Sequence, residues 1–103
     1  MDDLTFKEKD GALTAYVGGE LDHCLAAAIR ERIDAEFYKR MPDELTLDLS
    51  GVTFMDSSGL GLIMGRYAVC ENCGKRFALQ GAGERIMRIL ALAGLDKTVT
   101  VKQ

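Results

Sequence analysis

Leu45, Leu47 and Leu49 alternate with Thr46 and Asp48. A period of two predicts a strand with at least one buried face. Upstream, Leu25, Ala28, Ile29, Ile33 and Phe37 recur three and four residues apart, with Arg30, Glu31, Asp34 and Lys39 on other faces. That pattern predicts a helix packed along one side. Asp22 is a good N-cap type for it, and Pro42 requires it to stop earlier. Leu60, Ile63, Met64, Tyr67 and Ala68 predict a second helix, with Gly74 placed to end it. Ile86, Ile89, Leu90 and Ala93 predict a third, closed by Gly94. Two short strands are expected at residues 5–9 and 13–17, joined by a hairpin turn at Lys9-Asp10-Gly11. Gly18-Gly19 reads as the end of the second. Residues 76–80 and the β-branched stretch 97–101 read as the remaining strands.

The order is β-β-α-β-α-β-α-β. From the second strand onward, strands and helices alternate, which predicts an α/β fold. The sheet is expected to be mostly parallel, of about five strands, with helices packed on it and right-handed crossovers. A chain of 103 residues with one proline and no Ser/Pro/Gln-rich tract predicts a single domain spanning 1–103. The net charge of −3 and pI of about 5.1, with Lys and Arg scattered, argue against a nucleic-acid partner. No apolar run approaches the roughly 20 residues of a membrane span, and the first ten residues lack a signal-peptide core. A cytoplasmic protein without a membrane partner is expected. Three cysteines cannot all pair, which fits a reducing compartment.

Chemistry concentrates at residues 55–61, MDSSGLG, where a strand turns into a helix. One serine is expected to cap that helix, worth about 1 kcal/mol. That leaves the other serine, Asp56 and the glycines unexplained. Glycine inside a helix costs roughly 1 kcal/mol relative to alanine. Gly59, Gly61 and Gly65 therefore imply that a neighbouring element or a partner approaches this backbone closely. A phosphate-binding P-loop does not fit, because the nearest downstream basic residue is Arg66 and the motif's lysine is missing. A serine nucleophile does not fit either: there is no G-x-S-x-G, and the one histidine, His23, lies near the first helix. Cys70-Glu71-Asn72-Cys73 falls at a helix C-terminus, where the dipole disfavours a thiolate. A zinc site is disfavoured because His23 and Cys24 are adjacent. No metal and no cofactor are expected. Gly18-Gly19-Glu20-Leu21-Asp22-His23 fits a turn and cap as well as an exposed acidic binding loop.

Taken together, residues 54–61 (FMDSSGLG), continuing through Ile63-Met64-Gly65-Arg66-Tyr67, resemble the phosphorylation segment of anti-sigma factor antagonists, small single-domain STAS proteins. The extension through Gly65-Arg66-Tyr67 is most similar to the sporulation type. Residues 19–23 resemble the family's loop before its first helix, and 45–49 the strand that feeds the phosphosite. The resemblance implies a partner-switching protein rather than an enzyme. Its unphosphorylated form would bind an anti-sigma factor and release the sigma factor. The anti-sigma factor, itself an ATP-using serine kinase, would modify the serine after the aspartate, and a PP2C-type phosphatase would reverse the step. Carried over, the phosphoacceptor is Ser57 and Ser58 is the capping hydroxyl. Glu20, Asp22, His23, Asp56, Ser58, Gly59 and Gly61 are the implied partner-binding residues. Family members carry a C-terminal helix after the last strand, for which this chain leaves no room before Gln103. The cysteine pair is not part of the family pattern. The rival readings are a STAS module serving another stress or signalling regulator, a thiol redox protein using Cys70 and Cys73, and a serine hydrolase.

Overall fold

Strand β1, Leu4–Lys9, turns back into β2, Ala12–Leu21, through Asp10 and Gly11. Both turn residues have positive φ (52° and 82°), the twist that suits an antiparallel two-residue hairpin. The computed structural model describes residues 2–102. It continues with helix α1, His23–Arg40; strand β3, Glu44–Met55; helix α2, Ser57–Asn72; and strand β4, Arg76–Gln80. Helix α3, Glu84–Leu92, a single turn α4, Leu95–Thr98, and strand β5, Thr100–Val101, complete it. The sheet order is β1-β2-β3-β4-β5, antiparallel at β1–β2 and parallel elsewhere. The expected α/β architecture is borne out. Among the described residues, no helix is long and apolar enough to cross a membrane.

Leu13, Ala15 and Val17 of β2 bury one face of the sheet with Leu45, Leu47 and Leu49 of β3 and Phe77 and Leu79 of β4. Helix α1 adds Ala26, Ile29, Ile33 and Phe37 to the same core. Removing one such side chain, Leu47 for example, costs roughly 2–5 kcal/mol because the space left is only partly refilled. The opposite face is polar: the register sets Thr14, Thr46, Ala78 and Thr100 in one row and Tyr16, Asp48 and Gln80 in the next. Burial would raise the Asp48 carboxyl, but Ser50 donates to it from N–H and Oγ and Gln80 from Nε2. Together they hold it below the usual carboxylate range.

Three expectations are corrected. Strand β2 does not end at Gly18-Gly19 but runs through them to Leu21, and β3 correspondingly runs on to Met55. Gly18 faces Gly51, and a Cβ on either would sit 3.2–3.3 Å from the other's backbone. The glycines let two strands cross closely, instead of ending one. Residues 97–101 do not form a full strand. Gly94 (φ 76°) turns the chain so that Leu95 enters the core, and 95–98 close a helical turn before the two-residue β5. Finally, the buried stripe of α2 is Gly59, Leu62, Ile63, Arg66 and Cys70, whereas Met64 and Ala68 are exposed. A count of apolar residues misses this stripe because a glycine and an arginine are part of it.

Candidate functional site

The register of β2 on β3 ends at the pair Leu21 and Met55, so the two strands deliver their following residues side by side. Each is followed at once by an aspartate and a helix. The Asp22 carboxylate accepts from the Leu25 N–H at 2.9 Å and caps α1, as expected. The Asp56 carboxylate accepts from the Ser58 N–H at 2.8 Å and caps α2. The expected serine cap is therefore corrected: neither Ser57 nor Ser58 caps α2. An aspartate needs only β-region backbone to reach the free N–H groups, and Asp56 has it (φ −111°, ψ −163°). The Asp56 carbonyl also accepts from the Gly59 and Leu60 N–H groups. Ser57 is the first residue of α2 and is exposed; Ser58 is half-buried.

The glycines divide in role. Gly59 is buried, and a Cβ there would collide with Met55 Cγ and lie 3.2 Å from Leu21 Cβ. It lets α2 descend onto the strand ends, so its need for space comes from within the fold. Gly61 and Gly65 have nothing within 4 Å of where a Cβ would stand. They line an open groove between α1 and α2 together with His23, Arg30, Ser58 and Arg66.

In the sequence Arg66 stands out only as a cation too far downstream for a P-loop and as part of the family-like Gly65-Arg66-Tyr67 run. Its side chain lies in the groove floor, and the residue is only 6% exposed. Its Nε is 2.8 Å from Asp34 Oδ1 of α1, yet its N–H is not aligned for a hydrogen bond, and Nη1 has no partner among the described residues. Burial pushes the guanidinium below its usual value, Asp34 pulls it back up, and Arg30 pushes it down again. A guanidinium still stays charged, so the floor of the groove is a cation.

Among the implied contact residues, Glu20, Asp22 and His23 are exposed beside Asp56 and Ser58, and Gly61 is exposed on the same helix. Gly59 is set apart by its burial. Cys70 and Cys73 lie at the far end of α2, distant from His23 and Cys24 at the start of α1. All three cysteines are free thiols. Burial, with Cys73 nearby, pushes the Cys70 thiol up to about 11, the opposite of what a thiolate nucleophile needs. Among the described residues, no group of three or more His, Cys, Asp or Glu side chains is placed to hold a metal ion.

The family model of the STAS domain matches residues 3–103. The anti-sigma F factor antagonist of Paenibacillus polymyxa is 34% identical over 91 residues, 88% of this chain and 78% of that protein. The crystal structure of an anti-sigma factor antagonist from Mycobacterium paratuberculosis superposes with a TM-score of 0.84. It is 31% identical and covers 95% of this chain and 82% of that one. The anti-sigma factor antagonist SpoIIAA in its unphosphorylated form superposes with a TM-score of 0.81 over 97% of this chain and 88% of its own. At 23% identity it bears on the fold alone.

Proposed function

The chain belongs to the STAS domain family, and from that premise we propose that it is an anti-sigma factor antagonist, a regulator and not an enzyme. In this reading the unphosphorylated protein binds an anti-sigma factor in the cytoplasm and frees the sigma factor. The anti-sigma factor acts as an ATP-dependent kinase on Ser57, and a PP2C-type phosphatase removes the phosphate. Glu20, Asp22, His23, Asp56, Ser58 and Gly61 form the surrounding contact surface.

One observation carries the assignment of Ser57. Its residue is exposed at the first position of α2, while the helix-capping role beside it is taken by Asp56. The Ser57 hydroxyl is therefore available to a kinase without loss of a structural bond. A phosphate there adds roughly −1.5 to −2 charges and three acceptor oxygens. At a helix start the fold tolerates that charge, because the dipole and free N–H groups favour anions. Pressed against a partner next to Asp56, the same charge opposes binding through repulsion and desolvation. The switch thus acts on the interface and leaves the fold intact.

Incubation with the anti-sigma kinase and ATP is expected to add one phosphate, located on Ser57 by mass spectrometry. Ser57→Ala is expected to escape modification and still bind. Phosphate appearing on Ser58 in that variant would refute the assignment.

A further inference from the structure

The groove between α1 and α2 holds more positive charge than its own carboxylate balances. The titratable and charged groups that line it are His23 and Arg30 from α1 and Arg66 from α2, with Asp34 of α1 set against Arg66. Of the two guanidiniums only Arg66 lies within ion-pair distance of a carboxylate, on a chain whose net charge is −3. Asp34 Oδ1 lies 2.8 Å from Arg66 Nε, yet neither Nε nor Nη1, both buried, has a hydrogen-bond acceptor among the described residues. A buried charged donor left unpaired is costly, so an acceptor that reaches it gains what the free protein lacks. The walls leave room for one: Ala26 and Ala27 on α1 face Gly61 and Gly65 on α2 across about 260 Å³. That is below the roughly 300 Å³ at which small-molecule sites begin, and nearer the scale of an inserted side chain.

We infer that this groove is the subsite that receives an aspartate or glutamate side chain of the anti-sigma partner. Its carboxylate meets Arg66 from the open side and Arg30 at the rim. Guanidinium and carboxylate match in charge and in planar geometry. The groove also borders Ser58, which makes it continuous with the surface around Ser57. The inference rests on the anti-sigma reading and adds to it a chemical identity for one partner contact.

The test is calorimetric titration of the full, unphosphorylated chain with its anti-sigma partner. Gly65→Leu projects into the groove from a position where an added Cβ meets nothing within 4 Å, and it replaces glycine by a helix former. It is expected to melt at or above the wild-type temperature, yet to bind roughly ten- to a hundredfold more weakly, the worth of one hydrogen bond to a charged group. Arg30→Gln is expected to weaken binding several-fold. Arg30→Glu is expected to recover binding with a partner in which one acidic residue is changed to arginine. Wild-type affinity in both Gly65→Leu and Arg30→Gln overturns the groove inference and leaves the function standing. Failure of the wild-type chain to bind any anti-sigma factor overturns the function, and the occupant with it. Competition by millimolar inorganic phosphate that Gly65→Leu abolishes overturns the carboxylate in favour of a free anion.

Discussion

Helices α1 and α2 begin alike and are built for different ends. Both start two residues past a paired strand position, Leu21 or Met55, and both are capped by the aspartate between. At the first helical position α1 carries His23 and α2 carries Ser57; at the third, α1 carries Leu25 and α2 carries Gly59. Leu25 is half-buried against the core, whereas Gly59 is buried where no side chain fits. Since aspartate supplies the cap in both, serine is not what starts a helix here. The second start differs in two ways: α2 is drawn down onto the strand ends, and its first residue is a free hydroxyl.

Substitutions can break or sharpen that contrast. Gly59→Leu gives α2 the third residue of α1. Collision with Met55 and Leu21 should destabilise the fold by about 3 kcal/mol in urea unfolding. A loss below about 1 kcal/mol would mean that α2 is free to shift outward and that the two starts are equivalent. Asp22→Ala and Asp56→Ala should each cost about 1 kcal/mol, nearly equal because the caps are. Only Asp56→Ala is expected to change the rate of Ser57 phosphorylation. Gly61→Ala, in open space two residues after Gly59, should stabilise by about 0.5–1 kcal/mol and raise the melting temperature. Opposite signs at Gly59 and Gly61 would separate internal packing from surface shape. The smallest effects belong to the serines: Ser57→Ala and Ser58→Ala should each change stability by less than about 0.5 kcal/mol. A loss of about 1 kcal/mol in Ser58→Ala would restore the serine cap.

Much of this was readable in the chain. Element order, the Asp10-Gly11 turn and the Asp22 cap follow from local signals that act within a few residues. The segment around Ser57 was legible as a strand-to-helix turn; its assignment as a phosphosite is the proposal that family resemblance supports. What escaped depends on contacts distant in sequence. Asp56 and the two serines are comparable capping residues by type, and only the backbone angles at 56 decide among them. Gly18 reads as a terminator until Gly51 is set opposite it. The 97–101 stretch has strand composition, but burial of Leu95 claims its first half for a helical turn. Arg66 escaped most completely, because its counter-charge, Asp34, lies on another helix and nothing near it in sequence marks a buried cation.

The brevity of β5 has a consequence for how copies of this protein coexist at high concentration. Only Ala78 and Leu79 of β4 pair with it, and the Lys102 N–H adds one more bond to the Leu79 carbonyl. An outer strand with free N–H and C=O groups is a template on which another chain can add, and long, flat, apolar edges drive such aggregation. Here the margin is two residues long and flanked by charge. Arg76 stands exposed at the start of β4, and Lys102 reaches across to Glu44 at 2.6 Å. A neighbouring strand would find little backbone to bond and a cation at each end. On this side of the sheet the two-residue β5 gives a neighbouring molecule few backbone groups to pair with, whereas the six-residue β1 forms the other margin.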